Sequence, residues 1–410
     1  MEIKNRDIIL EQAKEYSSFY IYDENVINEY TERLKKNFRG IGFLYSIKTN
    51  PFINVVKSVF SHGFGADAAS LNEVLLAEKC GLAPDMVYYS APGKTERDIM
   101  GALGKCVITA DSLNEIALIE KTAGEMGVKA EIGVRINPDF SFYGGKGGPS
   151  KFGIEEYQLF DRAEYLKGLK NIKITGLHVH LHSQELNTDC INMYYKNMFS
   201  LINRTVEKLG IDLKFVNLGS GIGIPYARED CEVNVEALGK NLSKMVEDFK
   251  SSMPLVSVFV ETGRYCVGKS GLYAAKVLDK KVSFGKTYVI LANTLNGFMR
   301  PAMAHILEKY TDDEKPAESE PFYTCKGAFQ YIPLNNNTET EKVTLCGNLC
   351  TSTDIMEEDI ELAKLEVGDT LVITNAGSYA AVITPMQFAS LNPPVQLMLK
   401  SDGSVTCADK

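Results

Sequence analysis

Residues 42–48 read GFLYSIK, a short apolar run that ends in a single lysine. The run has the length and composition of one buried strand. Further apolar runs follow it along the chain, at 65–68, 86–89, 106–109, 130–135, 174–182, 215–218 and 258–260. Helical patterns separate these runs. About eight strands that alternate with helices favour a (β/α)8 barrel of the TIM type, an α/β fold, over an open sheet.

The pattern changes after residue 270, where strand-like runs continue with few helices between them. Turn signals such as Phe284-Gly285-Lys286 separate these runs, which predicts an all-β barrel or sandwich domain. The aromatic run Phe19-Tyr20-Ile21-Tyr22 predicts one more strand near the N-terminus. We therefore expect a barrel domain over residues 26–270 and a β-domain built from residues 1–25 and 271–410.

Composition limits the classes of function. Of 410 residues, 45% are apolar and 24% charged, the proportions of a folded globular protein too long for one core. The net charge of −9 argues against a nucleic-acid or anionic-membrane partner. No 18-residue apolar run predicts a transmembrane helix, and the N-terminus is polar and charged. Nine irregularly spaced cysteines predict reduced thiols rather than disulfides or a zinc site. We expect a cytoplasmic protein.

Lys48 stands where the first predicted barrel strand ends. Active sites of such barrels lie at the carboxyl ends of the strands, and a partly desolvated lysine there can form an imine with a carbonyl. A lone lysine at a strand end is more often a solvated side chain. The other motifs therefore decide its role.

Two later motifs predict an anion site. Gly219, Gly221 and Gly223 follow an apolar strand at every second position, and such spacing lets backbone N–H groups approach a phosphate. No Gly-Lys-Ser/Thr follows, which excludes a nucleotide P-loop. Glu261-Thr262-Gly263-Arg264 supplies a carboxylate and a guanidinium suited to phosphate. Alone, the glycine motif is a weak signal, because glycines also mark tight strand-to-helix turns. The alternative for Glu261 and Arg264 is a surface ion pair.

Three of the five histidines, His178, His180 and His182, alternate along one predicted strand, so that all three are expected on one face. They suit either a metal ion or a flat cofactor on which one imidazole stacks. No further set of metal ligands stands nearby, so we expect no metal. A strand-end lysine, a stacking histidine, a phosphate turn and an acid together describe a site for pyridoxal 5'-phosphate. Glu261 would keep the pyridine nitrogen protonated, so that electrons from a broken Cα bond flow into the ring.

Over nearly its whole length the chain resembles the fold-type III pyridoxal-phosphate decarboxylases, the group of diaminopimelate and ornithine decarboxylases. The resemblance implies an alanine racemase-like barrel and an amino-acid decarboxylase that is a homodimer with shared active sites. It also implies that Lys48 holds the cofactor, His180 stacks on its ring and Glu261 contacts its nitrogen. The further cofactor contacts that it implies are Asp67, Arg135, Ser183, Gly221, Gly223, Gly263, Arg264 and Tyr379.

The resemblance extends to the predicted β-domain. Residues 346–354, CGNLCTSTD, resemble the segment whose cysteine protonates the product in the partner's active site, a role that falls on Cys350. Arg300 resembles an arginine that holds a substrate carboxylate. Thr351 stands where the family has an acid for the distal ammonium, and a neutral hydroxyl cannot supply that charge. His182 also departs from the family, which has glycine there.

These departures favour the family branch that decarboxylates conjugated amino acids, such as siderophore precursors or carrier-bound aminoacyl groups in siderophore or antibiotic biosynthesis. An ordinary diaminopimelate decarboxylase of lysine biosynthesis is the main alternative. Two alternatives of other classes are an amino-acid racemase, which uses the same barrel, and a non-catalytic regulatory homologue. Product analysis distinguishes the racemase, and a colourless purified protein would indicate the regulator.

Overall fold

The computed structural model describes residues 3–310 and 327–407. These residues form eighteen strands and twelve α-helices. The strands are β1 (Ser18–Asp23), β2 (Gly42–Ser46), β3 (Gly65–Ala68), β4 (Val87–Tyr89), β5 (Val107–Ala110), β6 (Ala130–Asn137), β7 (Ile154–Glu155), β8 (Ile172–His178), β9 (Phe215–Asn217), β10 (Ser257–Thr262), β11 (Gly271–Ser283), β12 (Lys286–Leu291), β13 (Tyr331–Pro333), β14 (Thr340–Gly347), β15 (Ile355–Ala363), β16 (Thr370–Ile373), β17 (Val395–Leu399) and β18 (Val405–Cys407). The helices are α1 (Arg6–Glu15), α2 (Glu24–Asn37), α3 (Ile53–Ser61), α4 (Leu71–Lys79), α5 (Glu96–Ala102), α6 (Leu113–Glu125), α7 (Glu156–Asp161), α8 (Ala163–Lys167), α9 (Thr188–Leu209), α10 (Val235–Lys250), α11 (Arg264–Val267) and α12 (Met299–Tyr310).

The chain divides into two compact units. The barrel unit consists of Glu29–Gly223 and Glu232–Gly263. The β unit consists of the described residues of Met1–Asn28, Ile224–Cys231 and Arg264–Lys410. None of the helices in the described ranges is long and apolar enough to cross a membrane.

Eight parallel strands close the barrel unit, which confirms the predicted TIM-type barrel. The order around the barrel is β2-β3-β4-β5-β6-β8-β9-β10, and β10 pairs with β2 to complete the circle. Strand β7 pairs in parallel with the last two residues of β6. Because every strand is parallel, the carboxyl ends of all eight lie at one end of the barrel.

Aromatic side chains fill the barrel interior. Phe215 and Phe259 pack against Tyr88, with ring centroids 4.9 and 5.1 Å apart, and all three belong to one buried cluster. Gly176 on β8 leaves the space that the Phe215 ring occupies, since a Cβ atom there would overlap the ring. The glycine is thus required by packing.

Polar caps begin the helices that follow the barrel strands. The side chain of Ser70 accepts the N–H of Glu73 at 3.2 Å, and Ser112 accepts that of Glu115 at 3.1 Å. Such caps satisfy N–H groups that the first turn of a helix leaves unpaired. They fix where the chain turns away from the strand ends.

The β unit contains a nine-stranded, mostly antiparallel sheet, which confirms the predicted all-β domain. Strand β1 pairs with β11 antiparallel and with β17 parallel. Helix α1 packs on this sheet through Ile9 and Ala13. The helix α12 was not predicted, although Pro301 in its first turn is typical of helix starts.

We expect Gly176→Ala to lower the free energy of unfolding of the barrel by about 1–3 kcal/mol, because the added methyl displaces Phe215 in a packed core. Denaturant unfolding followed by far-UV circular dichroism measures the change. Gly148→Ala is the control, since a Cβ there meets nothing within 4 Å, and its effect should stay within about 0.5 kcal/mol. Equal effects of the two substitutions would contradict the packing argument.

Candidate active site

Lys48 lies in a short 3-10 turn, Ile47–Thr49, directly after β2. Its Nζ is 3.8 Å from Oδ2 of Asp67, which stands in the neighbouring strand β3. The other carboxylate oxygen of Asp67 accepts the Ser90 hydroxyl at 2.7 Å. Burial, together with the charge of Glu261, raises the pKa of Asp67, while Lys48 acts in the opposite direction. Two predicted cofactor residues, Lys48 and Asp67, are therefore brought together.

Glu261 is 3% exposed near the end of β10, and polar side chains surround its carboxylate. Oε1 accepts Nδ2 of Asn217 at 2.7 Å and lies 3.0 Å from Nε2 of His178. Oε2 lies 3.7 Å from Nδ1 of His180. Burial alone acts to raise the pKa of Glu261, but His178, His180 and Lys48 outweigh it and hold the pKa well below its usual range. This carboxylate therefore stays ionised at neutral pH.

His180 joins the remaining predicted residues of the barrel unit. Its Nε2 is 3.0 Å from the Ser183 hydroxyl, and its Nδ1 accepts the N–H of Ser220 at 3.3 Å. Arg135 donates to the carbonyl of His180 at 3.2 Å, and its guanidinium lies 4.4 Å from the Phe152 ring centroid. The structure thus places Arg135, His180 and Ser183 in one connected group beside Glu261.

The three histidines do not share one face, because β8 ends at His178. His178 is buried against Glu261, and His180 follows beyond the strand. The imidazole of His182 instead contacts Tyr143, whose hydroxyl lies 2.9 Å from Nε2. The alternation expected from the sequence stops where the chain leaves the strand.

The glycine turn approaches its neighbours too closely for side chains. Gly221 has φ +146°, and a Cβ atom on it would lie 2.9 Å from the Phe142 ring. A Cβ atom on Gly223 would lie 2.8 Å from the backbone of Gln184. The N–H of Gly223 is used by the carbonyl of Glu185 at 2.9 Å, so this glycine contributes close approach rather than a free donor. A Cβ atom on Gly263 would lie 2.4 Å from the Thr49 side chain, so this position is equally confined.

In the β unit, Arg264 lies between two tyrosines. Its Nη1 donates to the Tyr226 hydroxyl at 2.7 Å, and its guanidinium lies 4.8 Å from the Tyr379 ring centroid. Arg264 is 5% exposed and Tyr379 is 4% exposed. Nη2 of Arg264 and the hydroxyl of Tyr379 are both buried and have no hydrogen-bond partner among the described residues. Two unsatisfied buried donors on residues predicted to contact phosphate fit an anionic group.

Arg300 is fully buried in the β unit. Nη1 donates to the carbonyl of Ser378 at 3.2 Å, and the guanidinium lies 4.7 Å from the Tyr226 ring centroid and 5.2 Å from that of Phe329. Its predicted contact with a substrate carboxylate stays a prediction. The aromatic faces of Tyr226 and Phe329 cover its guanidinium.

Cys350 is exposed, in a loop that a buried carboxylate holds. Asp354 accepts the N–H of Leu349 and of Leu295, both at 3.0 Å, and the hydroxyl of Thr294. Thr351 is partly buried, and its hydroxyl lies 2.9 Å from that of Thr353. Asp354 therefore holds the loop in place, and Cys350 within it is exposed.

Sequence reasoning did not identify His178, Tyr226 and Asp354 as site residues. Asp354 closes the CGNLCTSTD segment and Tyr226 closes Gly223-Ile224-Pro225-Tyr226, so both stood inside motifs that had been recognised. Their roles depend on contacts with residues distant in the sequence, which the motifs do not show.

Each unit contributes its own chemistry. In the barrel unit, Glu261 supplies a buried ionised acid and Lys48 an amine at a strand end, which fit a ring with a basic nitrogen. In the β unit, Arg264 and Tyr379 supply unsatisfied donors, which fit a phosphate. These features define a pyridoxal-phosphate enzyme on an eight-stranded barrel.

Comparisons with known proteins agree. A family model described as pyridoxal-dependent decarboxylase, pyridoxal binding domain, matches residues 24–268. The L-glutamyl-(BtrI acyl-carrier protein) decarboxylase of Niallia circulans is 30% identical over 397 residues, 94% of this chain and 89% of that protein. The diaminopimelate decarboxylase of Aquifex aeolicus is 27% identical over 395 residues, 94% and 87% of the two chains. The crystal structure of Helicobacter pylori diaminopimelate decarboxylase complexed with L-lysine matches with a TM-score of 0.80 at 25% identity, over 96% of this chain and 93% of that one.

The chain belongs to the fold-type III pyridoxal-phosphate-dependent decarboxylases. It is a decarboxylase, and its cofactor is pyridoxal 5'-phosphate.

A second acid beside the site titrates near neutrality. Glu73, three residues after the Ser70 cap, accepts the N–H of Ala69 at 2.7 Å. Burial is the main cause that raises the pKa of Glu73, to about 7, and the nearby charge of Asp67 adds to it. A carboxyl whose pKa rises on folding binds its proton more tightly in the folded state. Its contribution to the free energy of unfolding therefore falls as pH rises from about 4.5 to about 7.

We expect Glu73→Gln to remove the loss of stability that ionisation of Glu73 causes as pH rises. The variant should exceed the wild type in free energy of unfolding by on the order of 2 kcal/mol at pH 8 and match it near pH 4.5. Urea unfolding at several pH values gives the comparison. Glu78→Gln, an exposed acid on the same helix, is the control and should follow the wild type. A pH profile of Glu73→Gln parallel to the wild type would contradict the assignment.

Proposed function

We propose that this decarboxylase acts on amino acids whose distal end is conjugated and carries no free ammonium group, such as aminoacyl groups bound to a carrier protein. The observation that carries the proposal is the Cys350 loop. Asp354 is the one carboxylate in residues 346–354, is 2% exposed and is fully used in supporting the loop. Thr351 offers a hydroxyl only, and a desolvated ammonium would find no charged partner in this loop.

The relative from Niallia circulans supports this choice, because it is named for a glutamyl group on an acyl-carrier protein. Ordinary diaminopimelate decarboxylation is the second candidate, supported by relatives such as the Aquifex aeolicus enzyme. The two candidates differ in the charge at the distal end of the substrate. Thr351 is the residue that would contact this end, and it carries no charge.

When bound, pyridoxal phosphate supplies the electron sink that permits loss of CO2 from Cα. Lys48 is the residue that would hold it, and Glu261 would keep a proton on its ring nitrogen. His180 would stack on the ring. The residues that would surround the rest of the cofactor are Asp67, Arg135, Ser183, Gly221, Gly223, Gly263, Arg264 and Tyr379. Arg300 would bind a substrate carboxylate, and the Cys350 thiol would return a proton to Cα.

The exposure of Cys350 supports a second part of the proposal, a homodimer in which this cysteine serves the partner's site. A loop that is fixed by Asp354 and presents its thiol outward suits such a donor. We also propose a cytoplasmic location, supported by the free thiols of all eight described cysteines.

The dimer is tested by mixing two inactive variants, Lys48→Ala and Cys350→Ala. Lys48→Ala should lose turnover and the visible absorbance of bound cofactor, and Cys350→Ala should keep the cofactor and lose about a hundredfold in rate. Co-expressed in equal amounts, the variants should recover about a quarter of wild-type activity, because half of the dimers then hold one intact site. No recovery, with dimers present, would overturn the shared site. Turnover by Lys48→Ala alone would overturn the role of Lys48.

The substrate is tested by CO2 release with product mass. The panel comprises meso-diaminopimelate, both ornithine enantiomers, lysine, glutamyl-loaded carrier protein and citryl- or acyl-conjugated diamino acids. We expect turnover of conjugates only, and Thr351→Glu should raise activity on free diamino acids by about tenfold or more relative to conjugates. Ser352→Glu adds the same charge at an exposed neighbour and should not. Wild-type turnover of diaminopimelate would favour the second candidate, and an epimerised product would indicate a racemase.

A further inference from the structure

One phenol oxygen in the β unit receives hydrogen bonds from two arginines. Tyr226 is 4% exposed, and its hydroxyl accepts Nη1 of Arg264 at 2.7 Å and Nη1 of Arg300 at 3.4 Å. The guanidinium of Arg300 also lies over the Tyr226 ring, 4.7 Å from its centroid. Both arginines are buried, at 5% and 0% exposed.

The position of Tyr226 is itself fixed by its backbone. Asp230 Oδ2 accepts the N–H of Tyr226 at 2.8 Å and that of Ala227 at 2.9 Å. Asn375 donates to the carbonyl of Tyr226 at 3.3 Å and to that of Ala328 at 2.5 Å. The backbone of Tyr226 is therefore held on both sides, and its phenol oxygen is a contact that the two arginine side chains share.

We propose that Tyr226 is a positioning residue that couples cofactor and substrate binding, because its phenol oxygen orients both Arg264, predicted to contact the cofactor phosphate, and Arg300, predicted to bind a substrate carboxylate. The inference rests on the proposed function, which assigns those two contacts. The inference adds a link between these two contacts. An anion that draws the guanidinium of one arginine away from the Tyr226 hydroxyl changes the hydrogen bond that the hydroxyl makes with the other arginine.

The charges around Tyr226 give this link a dependence on pH. Arg264 and Arg300 face the hydroxyl, the ammonium of Lys269 lies 5.9 Å from the ring centroid, and Asp230 faces the backbone amides. Burial acts to raise the pKa of Tyr226, but the two arginines outweigh it and lower the pKa to about 7. Below this pH the phenol is neutral and both guanidiniums keep their full charge for anionic ligands. Above it the phenolate offsets one charge.

Anion binding at the arginines should therefore take up a proton at Tyr226 and weaken as pH rises through 7. The phosphate of the cofactor gains charge above about pH 6, which acts in the opposite direction. A comparison of variants at each pH separates the two effects, since the phosphate is common to all of them.

The test measures binding of pyridoxal 5'-phosphate, and of pyridoxal as the phosphate-free probe, to protein freed of cofactor, from pH 6 to 8.5. Tyr226→Phe keeps the ring and removes the hydroxyl. Tyr331→Phe is the matched control, a buried tyrosine of the same unit whose hydroxyl donates to the Met356 carbonyl at 3.1 Å. We expect Tyr226→Phe to bind the phosphate form about tenfold more weakly at pH 6, with pyridoxal unchanged. The wild type should lose affinity relative to Tyr226→Phe as pH rises.

A second readout uses the holoenzyme. Tyr226→Phe should raise KM for the substrate by about tenfold with little change in kcat, and its effect should be non-additive with Arg300→Gln. Additive effects, or a Tyr226→Phe protein with wild-type affinity and pH profile, would overturn the inference. If Tyr226→Phe does not fold, the wild type decides through inorganic sulfate, whose charge is constant from pH 6 to 8.5. Competition of sulfate with the phosphate probe that weakens as pH rises through 7 supports the inference, and competition independent of pH overturns it. A wild type that binds no cofactor or releases no CO2 would instead overturn the proposed function.

Discussion

The ionised carboxylate of Glu261 is a negative charge inside the barrel unit, and the neighbouring strand ends are arranged around it. An isolated buried carboxylate would take up a proton, because its charged form loses hydration. His178 from β8 and Asn217 from β9 prevent this by direct contact, and Lys48 after β2 adds a positive charge. Each partner comes from a different strand. The closed parallel barrel brings these partners together. The ionised state of Glu261 therefore depends on closure of the barrel.

The β unit holds the opposite charge. Arg264 and Arg300 are buried cations whose faces are covered by Tyr226, Tyr379 and Phe329. Aromatic faces stabilise guanidinium groups without neutralising them, whereas a carboxylate partner would occupy the N–H groups. Nη2 of Arg264, which is buried and has no hydrogen-bond partner among the described residues, thus remains able to receive an anion. One unit maintains a negative charge suited to a protonated ring nitrogen, and the other maintains positive charges suited to phosphate and carboxylate groups.

The sequence predicted the elements that repeat and the residues that stand at strand ends. Lys48 and Glu261 were identifiable because apolar strands with a polar residue at the end mark the active face of a barrel. The separation of His178 from His182 was not predictable from alternation, since alternation holds only while the strand continues. Helix α12 was missed although Pro301 in its first turn is typical of helix starts, because the strand-like runs on both sides of it led to the expectation of strands throughout. Tyr226 and Asp354 act through contacts across 38 and about 60 positions, and such contacts follow from the fold alone.

In the loop that carries Cys350, the residues that hold the loop in place differ from the residues that the loop exposes. Its support is crowded: a side chain at Gly347 would overlap Thr294 and Asp354, and Asp354 binds the loop to the turn before α12. Cys350, Ser352 and Thr353 are exposed and Thr351 is only partly buried, so these positions bear little of the packing. Substitution at residue 351 therefore costs little stability. Descendants of one ancestral sequence could exchange an acid for a hydroxyl here and acquire a new substrate while the scaffold that presents the thiol stayed unchanged.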